Sequence, residues 1–322
     1  MSTATVRLLS LVAALTALTG ACTPEFEGED DSEPTLRNCE TCNTNSPAIN
    51  EFQFPELHLG GLPNSAGVRL VGLINPKDNV TYKLTVDGHE DLAAVDAQNK
   101  IVARGAALVG WVLMLEKDAV RVTGMIAAHD ATIASWAQPG RPMTAYAIAF
   151  SDNNMTKNVC PTYFDTPWTP VLTIIRGETY DREHKLVDLV DSQWVTFACA
   201  DEAAYKAKRL GYEQNIPFGA TNQPATIAQQ DATLKMITAD YCGTGKSFTQ
   251  QGTKLFWENT AHTVTPPNPV SNQEAVWTED GALCLDTPRF VDRAKVQAEC
   301  DIPKCGNIDL AQVPHEWVTW VP

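Results

Sequence analysis

Catalytic signatures are scarce in this sequence. Its 322 residues hold six histidines, His58, His89, His129, His184, His262 and His315, and none stands in His-Glu-x-x-His, His-x-His or another zinc spacing. No Gly-x-Ser-x-Gly elbow occurs, so the strand-turn-helix nucleophile of the α/β-hydrolases has no counterpart. Basic charge is also in short supply: 24 Lys and Arg stand against 39 Asp and Glu, a net charge of −15. With the N-terminal segment set aside, the body from Glu51 onward still carries −10. An acidic body argues against nucleic acid and anionic lipid surfaces as partners, and it favours solubility. Past the first twenty residues no segment approaches the ~18 uninterrupted apolar residues that a membrane-spanning helix needs. No repeat period runs along the chain, which excludes a solenoid.

Nine cysteines are what the chain does have. Cys22 follows one positive charge (Arg7), an apolar core from Leu8 to Leu18, and the small residues Thr19-Gly20-Ala21. That is the layout of a secretory signal over residues 1–21, with a core too short to span a bilayer. The residues before Cys22 resemble a bacterial lipobox, with Thr19 in the slot that leucine usually takes and Leu18 one place further out. Lipidation of Cys22 is therefore expected, with signal cleavage after Ala21 and a free Cys22 as the alternative. Thr23 stands where an inner-membrane retention signal has Asp, which points to the outer membrane; a secreted or soluble periplasmic protein is the alternative. Residues 22–50 read as a flexible tether. Seven acids (Glu25, Glu27, Glu29, Asp30, Asp31, Glu33 and Glu40) against Arg37 alone cannot bury enough apolar surface to fold.

The other eight cysteines, Cys39, Cys42, Cys160, Cys199, Cys242, Cys284, Cys300 and Cys305, are disulfide candidates, as an even number in an exported chain suggests. Cys39 and Cys42 are spaced like a redox or zinc pair, but the acidic tether supplies neither cations nor further ligands, so a small local disulfide is expected. By neighbourhood the rest pair as Cys160 with Cys199, Cys242 with Cys284, and Cys300 with Cys305, although six cysteines allow fifteen connectivities.

The body divides by period. From about 51 to 195 short strands dominate: 68–74, 80–86, 107–115, 119–126, 145–150, 171–176 and 194–199. Val80, Tyr82, Leu84 and Val86 alternate onto one buried face. From about 196 to 322 helices enter. One spans Asp201 to Leu210 with Gly211 past its end. A longer one runs from Pro224 to Asp240 with Thr221 or Asn222 as its cap, and a short one from Arg289 to Ala298. A strand at 254–258, a hairpin from Glu274 to Leu285 turning at Asp280-Gly281, and an aromatic tail with Trp317 and Trp320 complete the part. The fold class is α+β, with a β-rich antiparallel first half (a sandwich or a rolled sheet) and a helix- and hairpin-containing second half, stapled by disulfides. The halves are two parts or one continuous domain.

At Ala239-Asp240-Tyr241-Cys242-Gly243 the chain resembles the ADYC domain family, named for that tetrapeptide and found in exported bacterial proteins, especially myxobacterial lipoproteins. Thr249, Gly252, Thr253, Ala275, Trp277, Gly281 to Cys284 and Pro288-Arg289 carry the resemblance after the motif; Ala198-Cys199 and Gly211-Tyr212 carry it before. It is specific from about 195 to 290 and looser from about 55. It implies an exported protein and transfers no catalytic residue.

The remaining constellations have plain readings. Cys242-Gly-Thr-Gly-Lys-Ser247 lacks the first glycine of a phosphate loop and follows a helix instead of preceding one. Cys242 ends a helix, which suits a staple better than a nucleophile. His129-Asp130 and Asp181 to His184 set carboxylates beside imidazoles, as an acid–base site would, and as adjacent loop charges do by chance. Asp240 opposes the helix dipole and bonds the Gly243–Lys246 turn in the structural reading. Asp152-Asn-Asn154 is a fragment of a calcium loop without its glycine and glutamate. Trp136, Trp168, Trp257, Trp277, Trp317 and Trp320 suit a glycan or peptide groove, or core and edge packing. No cofactor, metal or catalytic residue is assigned. The sequence reads as an exported, lipid-anchored envelope protein that binds or scaffolds an envelope protein or glycan and meets the membrane only through its N-terminus. The alternative is an exported hydrolase-like enzyme with an unrecognised acid–base site.

Overall fold

The computed structural model describes residues 46–322 apart from 89, 219–222, 251 and 267–269. Cys22, the Cys39–Cys42 pair, His89 and the Thr221 and Asn222 cap candidates lie outside the described residues. The compact unit runs from Thr41 to Pro322. The last residues assigned to the tether belong to it: β1 (Ala48–Ile49) pairs with β2 (Phe52–Gln53), and Ile49 is buried.

The main sheet opens with β3 (Glu56–His58), β4 (Arg69–Asn75), β5 (Val80–Val86), β6 (Leu92–Val95) and β7 (Ile101–Arg104). It continues through β8 (Val112–Lys117), β9 (Val120–Ile133), β10 (Met143–Asp152), β11 (Met155–Asn158) and β12 (Leu172–Arg176). A separate hairpin, β13 (Glu178–Asp181) with β14 (Leu186–Leu189), interrupts it before β15 (Trp194–Cys199). The eleven strands are antiparallel in the order β3-β15-β12-β10-β9-β8-β4-β5-β6-β7, with β11 paired to β10.

This sheet is rolled. Leu84 and Leu92 from one end share a core with Ile148, Ile174 and Phe197 from the other, and the Leu92 N–H donates to the Tyr146 hydroxyl at 2.9 Å, across four intervening strands. Successive side chains on a strand face opposite ways. Ile174 and Phe197 therefore enter this first core, while Ile175 and Ala198 enter a second one on the sheet's outer face. That double burial explains why β15 is apolar on both faces apart from Thr196, whose hydroxyl donates to the Glu178 carbonyl oxygen. The β5 alternation is present with one correction: Leu84 and Val86 are buried, but Val80, at the hairpin tip, is 46% exposed.

The second core holds α1 (Ala203–Arg209), α2 (Ile227–Thr238) and a four-stranded sheet. That sheet comprises β16 (Phe256–Asn259), β17 (Asn272–Thr278), β18 (Gly281–Leu285) and β19 (Trp317–Val321), in the order β16-β19-β17-β18. The aromatic tail is thus an interior strand of this sheet. The helix expected from Pro224 begins at Ile227, because Thr226 and Gln229 form a reciprocal capping box there. The helix expected over Arg289–Ala298 shrinks to α3 (Arg293–Gln297), and Arg289 is engaged elsewhere. The boundary at 195/196 falls inside β15, so both parts use one strand. No helix among the described residues is long and apolar enough to cross a membrane.

Candidate functional site

The signature tetrapeptide is a structural knot. Ala239 caps α2 in the left-handed conformation, φ 51°. Asp240 accepts the N–H groups of Thr244 at 3.1 Å and Gly245 at 2.7 Å, holding the turn as the structural reading expects. Burial raises the Asp240 pKa against those bonds. Tyr241 donates to Glu274 Oε1 at 2.5 Å and accepts the Arg289 N–H at 3.2 Å. Arg289 grips Glu274 with Nε at 2.6 Å and Nη2 at 2.9 Å, a two-pronged pair with both side chains buried. Trp277 stacks on Tyr241, ring centroids 5.1 Å apart. Burial and the Glu274 charge push the Tyr241 hydroxyl up. A Cβ on Gly243 would come within 2.0 Å of the Asp280 carbonyl oxygen, which is why that turn needs glycine.

The cysteine pairing corrects two expectations. Cys160 bonds Cys199, but Cys242 bonds Cys300 and Cys284 bonds Cys305. Cys242 and Cys300 have Cα atoms 5.7 Å apart, within bridging range. β18 pairs with β17 and directs Cys284 into a small cluster with Cys305, while Cys242 belongs to the larger second core. The three disulfides among the described residues imply an oxidising compartment, extracellular or periplasmic.

The sequence-nominated histidines do not assemble into a site. Neighbours on β9 face opposite ways, so His129 does not use Asp130. Asp130 instead accepts from Thr132, from its N–H at 2.7 Å and its hydroxyl at 2.6 Å. His129 Nε2 meets Asp91 Oδ1 at 3.2 Å, and Tyr146 donates to the same oxygen at 3.1 Å. His184 does pair with Asp181, at 2.7 Å, on the exposed tip of the β13–β14 hairpin. His262 bonds Glu258, His315 Nδ1 lies 3.0 Å from the Val313 carbonyl oxygen, and His58 packs edge-on against Trp194. Trp277 and Trp317 are buried and Trp136 carries the Arg209 guanidinium 4.2 Å from its ring, whereas Trp168 is exposed. Asp152 holds Lys157 at 2.8 Å. No group of three or more candidate metal ligands occurs among the described residues.

What the fold does assemble is a cleft of about 940 Å³. Asp87, Gly88, Glu90 and Asp91, the β9–β10 connection and the segment that follows α1 form its walls. Lys208, near the end of α1, reaches it with its side chain only 3% exposed. Its Nζ donates to Glu90 Oε2 and, at 2.8 Å, to the Ile174 carbonyl oxygen. It is also ion-paired with Glu213 Oε2 at 3.0 Å. Glu90 Oε1 and Glu213 Oε2 are buried without a hydrogen-bond partner. Burial, against the pull of Lys208 and with the repulsion of Glu90, pushes the Glu213 carboxyl up to about 8. Burial opposes the Lys208 charge, but Glu213 and Glu90 outweigh it and hold that ammonium at about 12. Asp91 also lines the cleft, and a Cβ on Gly105 would stand 3.1 Å from its Oδ2 and 3.2 Å from His129 Nε2. Arg141 and Arg176 line the cleft as well.

None of Glu90, Asp91, Lys208 and Glu213 carries a local sequence signal. Residues 118 apart in sequence meet in the Lys208–Glu90 pair, and only a partnerless-looking lysine in a mostly buried helix hints at it. The ADYC domain family matches residues 105–291, more than half of the chain. No curated protein and no solved structure matches the chain.

Proposed function

The chain belongs to the ADYC domain family, and we propose that it is an exported, lipid-anchored envelope protein that binds a ligand or partner of the bacterial envelope in the Glu90–Glu213 cleft. The observation that carries this reading is the cleft itself: an open cavity of about 940 Å³ with buried charge on its wall. Such concavity with a few convergent polar groups is the usual form of a ligand site. The signature motif is occupied in holding the fold, so it leaves the cleft as the place for function. The N-terminal signal and Cys22 support the anchoring, with the outer membrane favoured by Thr23.

Titration of the mature chain with solubilised cell-wall fragments tests the binding. Asn215 is exposed and lines the cleft, so Asn215→Trp should fill it and abolish binding without unfolding the protein. Binding unaltered by that variant, or no binding by any fragment, overturns the cleft reading. Intact-mass measurement tests the anchor: the mature protein should begin at a Cys22 that carries acyl chains.

The paired carboxyls favour a second reading, hydrolysis. One carboxyl held protonated beside an ionised one is the arrangement that general acid–base catalysis uses. Turnover of a bound fragment, lost in Glu213→Gln while binding persists, would select it.

A further inference from the structure

We infer that the cleft takes an organic cation, a primary ammonium or a guanidinium, at the paired carboxyls of Glu90 and Glu213. The inference rests on the cleft being the ligand site, and it names the chemistry that site recognises.

The argument is one of charge and donors. Two carboxyl groups share a single buried ammonium, that of Lys208. Two of its three N–H groups go to Glu90 Oε2 and the Ile174 carbonyl oxygen, and the ammonium lies 3.0 Å from Glu213 Oε2 as an ion pair. Glu90 Oε1 and Glu213 Oε2 remain buried and without a hydrogen bond, and Glu213 is only 2% exposed. A buried carboxylate oxygen without a donor is destabilising, and a second negative charge that must share one ammonium adds to the cost. Either a proton or a second cation relieves that deficit. In the empty cleft the proton does so: Glu213 stays protonated at neutral pH because its pKa is pushed up to about 8. A ligand ammonium brings N–H donors for both free oxygens and a positive charge that replaces the proton. The proton then leaves Glu213 for solvent, and the carboxyls hold two cations between them, Lys208 and the ligand.

The surrounding charges agree with this choice of ligand. Asp87 and Asp91, on the same loop as Glu90, line the cleft with it. Arg104 pairs with Asp87 at 3.1 Å, and His129 and Tyr146 meet Asp91. Arg141 and Arg176 also line the cleft and offer an anionic group of the same ligand a place away from the carboxyls.

Calorimetry of the mature chain at pH 7 with 1,5-diaminopentane tests the inference, run in phosphate and in Tris. Binding should release close to one proton, read from the difference in heat between the two buffers. Glu213→Gln, which keeps the neutral form of the side chain, should remove the proton release and weaken binding at least tenfold. The wild-type buffer comparison stands even if the variant fails to fold. Buffer-independent heat overturns the inference. If the diamine does not bind while a neutral cell-wall disaccharide binds and Asn215→Trp blocks it, the cation inference falls and the cleft reading stands. If neither binds, both fall.

Discussion

Tyr241 shows how one residue of a signature can be structural without being inert. Its hydroxyl joins the buried Glu274–Arg289 pair, donating a hydrogen bond to the carboxylate and accepting one from the Arg289 backbone N–H, while its ring packs on Trp277. Tyr241→Phe removes a hydrogen bond to a charged acceptor and should destabilise the protein by about 1.5–3 kcal/mol. Arg289→Ala leaves Glu274, which is fully buried, without its partner and should cost more, about 3–5 kcal/mol. Urea unfolding of both variants measures the two effects. A Tyr241→Phe protein as stable as wild type would show that the hydroxyl holds nothing. Glu213 differs in kind: it is buried beside Lys208, with its Oε2 left without a hydrogen bond.

Among elements, the motif turn, the β17–β18 hairpin and α3 form a unit through cysteine. Cys242 and Cys284 lie inside the family match, but Cys300 and Cys305 lie beyond its end at residue 291. β19, also beyond it, separates β16 from β17 in the second sheet. Residues 292–322 therefore complete the domain physically. Non-reducing peptide mapping should recover Cys242–Cys300 and Cys284–Cys305 and no Cys242–Cys284 peptide. Paired replacement of Cys242 and Cys300 by serine should destabilise by roughly 4 kcal/mol, since a bridge over 58 residues closes the longest of the three loops. Replacing Cys284 and Cys305, 21 residues apart, should cost about 1 kcal/mol less on the same entropy argument.

At the scale of the whole molecule the buried acids set the pH response. Glu213 is raised to about 8, and Glu178, Glu202, Glu316, Asp231 and Asp240 are raised as well, burial being the largest cause in each. A carboxyl whose folded pKa exceeds its unfolded one contributes stability that is full below the unfolded pKa and lost as pH rises through the folded value. Glu116, Asp130 and Asp181 are lowered and act oppositely, losing their contribution only as pH falls below about 4. Thermal stability should therefore peak on the acid side of neutrality, near pH 5, and fall toward pH 8.5. Glu213→Gln should flatten that fall by up to about 1.4 kcal/mol per pH unit. A profile of Tm against pH checks it; a wild-type Tm that rises steadily from pH 5 to 8.5 would contradict the sign. The net charge of −10 over the body adds self-repulsion in the same direction as the carboxyls ionise.

Much of this was legible in the chain because the signals were local. Alternation in Val80–Val86 and the apolar run of Trp194–Cys199 are strand patterns, and both strands span those residues. The family resemblance lies in contiguous words, and Cys160, just past β11, meets Cys199 at the end of β15 within one sheet. The tertiary structure decided what depends on distant pairs. It sent His129 to Asp91 instead of Asp130, Cys242 to Cys300 instead of Cys284, and the aromatic tail into the interior of a sheet. It also created the cleft, by rolling the sheet until Glu90 met Lys208 and Glu213. Local periods report a residue's own backbone and face; the partner across the core depends on how the sheet curls, and no short stretch of sequence carries that curl.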